Sequence, residues 1–365
     1  MTAVKTAVTA AGTRTLDGAA GLAAFRPEWN AAASERRNLY LTYEWMASLW
    51  ESHFGAKDVE FLVHGSNPWT ALLPLALEES RSRGFHLRTA MPVTNRYGRN
   101  HNDILLRPPM DAGVRWVLAS TRERRADLFA LGSLADDSPT APILRRVARE
   151  EGFRVVTEAG AKSPYLTLEG DWDTYLKGQS SNFRSDLKRK GNKARRSGLE
   201  IRRFTDAGSV SIVLEAIYSI EAKSWKESTQ TSITTNPQAR VFYDRFLSRA
   251  AEAGWFESFL LYFEGTPAAY DMGVRFANRY YMLKTSYDQA FSEQSPGVVL
   301  REHVVRHLYE TGCGEHDFLG DDEPWKMRWT SEVRGHTHYY LYDTSRLGAN
   351  LYSLLKRFQA RGGPS

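Results

Sequence analysis

Cysteine is nearly absent from this 365-residue chain. Cys313 is the single thiol, which excludes an internal disulfide and a multi-thiolate zinc site and fits a reducing compartment. Set between Gly312 and Gly314, it reads as a small turn residue more readily than as a nucleophile. Long apolar runs are missing as well. No stretch approaches the roughly 18 residues of a membrane span, and the Ala/Thr-rich start, residues 2–13, lacks the basic-then-apolar order of a secretory leader. The expectation is a cytoplasmic protein with no membrane partner. Net charge is small, +5. What the chain does have is 42% apolar and 12% aromatic residues, enough to bury a core, and more length than the roughly 250–300 residues one core serves. Two domains are expected.

The small net charge hides an uneven distribution. Residues 182–203 hold nine Lys/Arg against Asp186 and Glu200, a local balance of +7, so the rest of the chain sums to −2. A basic element on an otherwise neutral protein points to a polyanionic partner, although such runs are commonly just solvated faces. Ser180 and Ser181 can cap a helix over this segment, with Phe183, Leu187 and Ala194 on its apolar side and Gly198 as its stop. A strand near 199–203 follows, then helices over about 207–225 and 237–253, the latter opened by Asn236-Pro237. From Trp255 to Tyr287, Glu264-Gly265 and Ala277-Asn278 divide an aromatic and β-branched run into three antiparallel strands. Ser295-Pro296-Gly297 opens a helix to about Thr311. Strands near 316–319 and 336–342 and a closing helix, 344–358, complete the half. In the first half the pattern gives a helix at 43–54, strands near 59–63, 70–77 and 103–106, and alternating elements from Asp111 to Leu168.

This order and its motifs resemble the GNAT acyltransferase superfamily, specifically its CelD-like, cellulose-biosynthesis-type branch. The matching pieces over 164–334 are the basic Asn182–Arg196 helix, Glu221-Ala222-Lys223-Ser224-Trp225-Lys226, Tyr287-Asp288, Ser295-Pro296-Gly297, and Asp317-Phe318-Leu319-Gly320 leading to Trp325-Lys326-Met327-Arg328-Trp329. Gln294 to Val299 stands where the superfamily carries its phosphate loop, with Val299 in place of the usual Gly or Ala. The related FemABX-like peptidyltransferases are tandem GNAT folds that take an aminoacyl-tRNA. The resemblance therefore implies an α/β, mixed-sheet fold of two tandem GNAT-like domains, each a mostly antiparallel sheet flanked by helices. Their expected ranges are 1–162, degenerate, and 163–343, the acyltransferase domain, followed by a C-terminal helix and tail at 344–365.

A helix start offers unpaired N–H groups, and no acid precedes Glu302 here, so Ser295 as cap with Gly297, Val298 and Val299 as donors is the expected phosphate site. Lys188, Arg189, Lys190 and Lys193 would add side-chain contacts. By resemblance, unpaired N–H groups of the third meander strand, around Lys284 to Tyr287, are the oxyanion donors. Tyr287 is the expected leaving-group acid and Asp288 or Asp271 the base, against readings as core tyrosine and turn caps. Lys326 matches the aromatic-Lys pair of FemABX-like proteins and is assigned to the donor or oxyanion. Trp225, Arg328, and Arg96, His101 and Asp103 of the polar loop Asn95–Asp103 are assigned to the acceptor. No metal is expected. His303 and His307 lack the glutamate of a zinc-protease helix, His336 and His338 lack a third ligand, and Asp317 and Asp321–Glu323 form no ligand set.

The function expected is acyl transfer to an amine or hydroxyl of a small-molecule or saccharide acceptor held in a cleft between the domains. The donor is an acyl thioester such as acyl-coenzyme A, as co-substrate. An aminoacyl-tRNA-dependent amide synthesis stays open as the alternative, as does, from another class, a non-catalytic scaffold or nucleic-acid-binding protein.

Overall fold

The computed structural model describes residues 12–54, 59–66, 68–82, 84–93, 101–224 and 232–361. The chain divides into two compact units, one of residues up to Lys162 together with those from Arg334 onward, the other Ser163–Val333.

The first unit begins with β1 (Thr13–Thr15), α1 (Gly18–Glu35) and α2 (Tyr43–His53), then β2 (Val59–His64), β3 (Ala71–Ser82), β4 (Phe85–Pro92) and the short β5 (Leu105–Leu106). It continues with α3 (Met110–Glu123), β6 (Leu128–Ala135), α4 (Thr140–Glu150) and the first part of β7 (Phe153–Thr167). Strands β1 to β4 pair antiparallel in sequence, β5 adds to β3, and β6 lies parallel to β4. Helices α3 and α4 bury Val114, Val117, Leu144 and Val147 against Leu73, Phe129 and Leu131 of this sheet. Two of these elements escape the sequence pattern. Pro27 sits inside α1, where it interrupts an otherwise helical run, and β4 carries alternating Arg and His among its apolar residues.

The second unit takes the end of β7 and adds α5 (Trp172–Gly178), α6 (Ser181–Arg196), β8 (Leu199–Phe204), α7 (Val210–Glu221) and α8 (Pro237–Glu252). The meander β9 (Ser258–Phe263), β10 (Thr266–Phe276) and β11 (Arg279–Tyr287) follows, then α9 (Pro296–Glu310) and β12 (Glu315–Asp317). Local chemistry sets these boundaries. Ser180 Oγ accepts from the Phe183 N–H at 3.2 Å and Asn236 Oδ1 from that of Ala239 at 3.0 Å, each completing a helix start. Both hairpin turns are left-handed at their two residues, Glu264-Gly265 at φ 48° and 78° and Ala277-Asn278 at 48° and 60°, which matches the strand twist. The sheet runs β7-β12-β11-β10-β9-β8, parallel at β11 with β12 and antiparallel elsewhere. On one face α6 and α9 bury Phe183, Leu187, Val299, Leu300 and Val304 against Phe259, Tyr280 and Met282.

The chain then returns to the first unit. β13 (Val333–Asp343) pairs antiparallel with β6, from His336↔Ala135 to Tyr342↔Leu128, and α10 (Leu347–Arg361) buries Ala349 and Tyr352 beside Leu87 and Leu128. This corrects the expected ranges: residues 334–343 are not the end of the 163–343 domain, and the helix at 347–361 is not an appendage, because β13 pairs with β6 and Ala349 and Tyr352 pack beside Leu87 and Leu128 in the first unit. Among the described residues no helix is long and apolar enough to cross a membrane.

Candidate acyl-transfer site

The site grows from β11. Its parallel ladder with β12 covers only Arg279↔Glu315 to Tyr281↔Asp317, so β12 offers no partner to the strand beyond Tyr281. On the other side, the register with β10 slips from Gly273↔Met282 to Met272↔Lys284, leaving Leu283 as the extra residue of a bulge. A bulged residue has its amide turned out of the ladder. The slip also resets which way the side chains point. Tyr280, Met282 and Tyr287 all pack on the α6/α9 face, although Met282 and Tyr287 are five positions apart, and Lys284 reaches the opposite face, where its Nζ lies 3.8 Å from Glu221 of α7. Regular alternation would have separated Met282 from Tyr287.

Tyr287 adjoins the start of α9. A Cβ placed on Gly297 would lie 3.5 Å from Tyr287 Cδ1, in ordinary van der Waals contact with the ring. The expected set of N–H donors here is smaller than the sequence suggested. Ser295 is left-handed at φ 55° and makes no side-chain cap; its carbonyl accepts from Val298 at 3.1 Å and Val299 at 3.2 Å. Val299 is the first amide inside the helical ladder, and its side chain is buried. Gly297 is the remaining donor of the three. A Gly297→Asp substitution is expected to place a carboxylate at that amide and lower donor affinity at least tenfold, about 1.4 kcal/mol, with the fold intact; equal affinity in a binding titration would remove the helix start from the site.

The basic helix α6 flanks this point. Lys193 Nζ lies 3.7 Å from Glu293, in the 3-10 turn Gln289–Gln294 that leads into α9. Arg189 and Lys190 bond to Asp186 at 2.6 and 2.8 Å, and Lys188 is exposed on the helix surface.

Several expected site residues have structural work instead. Asp271 is fully buried; Tyr280 Oη donates to it at 2.7 Å and Arg301 forms an ion pair with it. Burial lifts its carboxyl above the usual range, while Arg301 and Tyr280 pull it down. Arg301 Nη1 also meets His316 Nε2 at 3.2 Å, and burial first, then the Arg301 charge, hold that imidazole neutral, well below its ordinary range. Asp271 is a core ion-pair member with no route to a substrate proton. Asp288 caps the turn, accepting from the Ala290 N–H at 3.0 Å, with Lys223 Nζ 3.7 Å away. Lys326 is buried, its ammonium donating to Leu319 O at 2.7 Å and Asp321 O at 3.0 Å and pairing with Glu323 at 2.8 Å. Those three partners match its three N–H bonds, so it locks loop 319–323 and does not present a cation to a donor.

In the first unit, Asp103 is buried against Arg36 at 2.6 Å and accepts from Ser138 Oγ at 2.6 Å, while His101 stacks on Tyr40 at 5.8 Å and meets the edge of His336 at 4.9 Å. Both are packed into that unit by these contacts. Arg328 bonds to Asp186 at 2.8 Å. Trp225 and Arg96 lie outside the described residues. Cys313 is buried, with its thiol pushed up by burial, as an inert turn residue would be. Among the described residues no three His, Cys, Asp or Glu side chains gather as a metal site.

Sequence reasoning set the oxyanion donors around Lys284 to Tyr287, just past the bulged Leu283, and gave Glu221 no role of its own. Glu221 is fully buried and accepts from Tyr270 Oη, from Ser232 Oγ at 2.9 Å and from the Ile233 N–H at 2.5 Å. Its place in the Glu221–Lys226 motif was the available signal.

Residues 181–327 match the family model described as an acetyltransferase (GNAT) domain. Among solved structures, FemX is similar with a TM-score of 0.61 at 12% identity, over 90% of this chain and 98% of that one. L-PGS from Bacillus licheniformis gives 0.53 at 12% over 91% and 96%, and a conserved protein of unknown function from Bacteroides thetaiotaomicron 0.57 at 12% over 87% and 97%. No curated protein matches the chain.

Proposed function

We propose that this chain, whose residues 181–327 match a GNAT acetyltransferase domain and whose fold is similar to that of FemX, transfers an acyl group from a phosphate-bearing donor to an amine or hydroxyl. The observation that carries this reading is the bulge at Leu283 on a strand edge with no β12 partner, next to Tyr287 and Gly297. An amide turned out of its ladder is a preorganised donor for the oxyanion that forms when a nucleophile attacks an acyl carbonyl. Tyr287 adjoins the start of α9 and is the candidate to protonate the leaving group, whereas Asp271, Asp288 and Lys326 are engaged by other groups. The nucleophile attacks the carbonyl carbon, the donor's heteroatom departs with the electron pair of the broken bond, and a proton is returned to it. The acceptor is a small molecule or a saccharide.

For the donor, the geometry supports an aminoacyl-tRNA. The α9 start has Gly297 as the remaining free N–H of the three expected and a buried Val299, a sparse cradle for a pyrophosphate, whereas α6 exposes Arg184, Lys188, Lys193, Arg195 and Arg196 to a backbone of many phosphates. A second reading, acyl-coenzyme A, is favoured by the acetyltransferase family match. The two separate by salt. Neutralising Lys188 and Lys193 as glutamines is expected to flatten the log-affinity against log-salt slope for charged tRNA by about 1 to 2, and to change acyl-coenzyme A binding little. An unchanged slope in the folded variant, with tight acyl-coenzyme A binding, would favour the thioester; binding of neither donor would sink the acyl-transfer reading.

A further inference from the structure

Four charged side chains on and beside α6 converge at one point. The Asp186 carboxylate accepts from Arg189 Nη2 at 2.6 Å, from Lys190 Nζ at 2.8 Å and from Arg328 Nη2 at 2.8 Å. Arg328 comes from the segment after β12, and its guanidinium lies 5.7 Å over the Phe183 ring. Burial would raise the Asp186 carboxyl, but hydrogen bonds from Lys190, Arg328 and Arg189 outweigh it and hold it well below the usual range.

Three cations around one carboxylate leave an excess of two positive charges. The fold gains little from the arrangement, because the side chains of Arg189 and Arg328 are 72% and 41% exposed and ion pairs in such surroundings contribute roughly 0–1 kcal/mol. What the arrangement does is hold guanidinium and ammonium donors at the spacing of an oxyanion, and the fork that fits a carboxylate also fits a phosphate. It is also aligned with the site. Asp186, Lys190 and Lys193 recur at i, i+4 and i+7 on one flank of α6, a run of about 10.5 Å, and Lys193 ends it beside Glu293, just before the α9 start.

We propose that the Asp186 carboxylate is a displaceable stand-in anion, occupying a phosphate site built by Arg189, Lys190 and Arg328. A phosphate of the donor takes its place, drawn by the excess charge, and Asp186 swings outward. This rests on the phosphate-bearing donor of the preceding subsection and moves Arg328 from the acceptor to the donor.

Tripolyphosphate tests it without any acyl group, so the result does not depend on whether acyl transfer is the chemistry. Titrated calorimetrically at low ionic strength, Asp186→Asn is expected to bind it at least fivefold more tightly than wild type, and Asp186→Asn/Arg328→Gln to lose that gain. Equal or weaker binding by Asp186→Asn overturns the proposal, because the carboxylate would then be arranging the cations and not holding their place. A gain that survives Arg328→Gln overturns the site as drawn. Should Asp186→Asn melt early, Arg328→Gln alone carries the test: at least a threefold loss of tripolyphosphate affinity is expected, and unchanged affinity refutes the site.

Discussion

Leu283→Pro is expected to turn over about a hundred- to a thousandfold more slowly than wild type in a single-turnover acyl-transfer assay, while donor affinity stays near normal. Proline deletes one backbone N–H, and loss of one oxyanion donor costs about 2.7–4 kcal/mol in the transition state. The substitution falls at a bulge, one of the few places inside a sheet that accepts proline, so the strand should persist. Leu283→Ala keeps the amide and trims a half-buried side chain; it is expected to remain within a few-fold of wild type. Full turnover by a folded Leu283→Pro protein would place the oxyanion elsewhere.

Asp271→Ala is expected to destabilise the second unit by about 3–5 kcal/mol in urea unfolding, since it leaves Arg301 charged in the core without its carboxylate and Tyr280 without its acceptor. Replacing both partners should be gentler. Asp271→Ala/Arg301→Met removes the buried charge and sets an apolar side chain beside Met282, so the double variant should recover at least about 1 kcal/mol of the single variant's loss. If Asp271→Ala unfolds like wild type but loses activity, Asp271 is chemical after all.

The sequence announces elements whose causes are local. Ser180 and Asn236-Pro237 start their helices through contacts three residues away, and the two hairpin turns depend on residues that tolerate a left-handed backbone. The element order of the second unit follows from such signals. What decides the site is not local. Asp271, Asp288 and Lys326 read alike in sequence, as polar residues beside strands and turns; only packing reveals that Asp271 faces Arg301, that Asp288 closes a turn and that the Lys326 ammonium is saturated by Leu319, Asp321 and Glu323. Likewise no residue type marks Leu283 as bulged, because the bulge is a mismatch between two strands. The membership of β13 depends on pairing with β6, some two hundred positions earlier in the chain, which periodicity alone does not report.

The bulge also fixes where this chain can change length. Because Leu283 is the extra residue, deleting it would restore plain alternation, with Met282 and Tyr287 four positions apart on their present face and Lys284 still opposite, and would remove only the turned-out amide. A residue inserted and paired between Lys284 and Tyr287 would instead carry the Tyr287 ring off the α9 face and away from Gly297. The turns at Glu264-Gly265 and Ala277-Asn278 lie outside that count, so they can lengthen or shorten without rotating a single site side chain. In an alignment of related chains, a one-residue gap at Leu283 would therefore mark a chain whose side-chain faces match this one but whose strand lacks the turned-out amide.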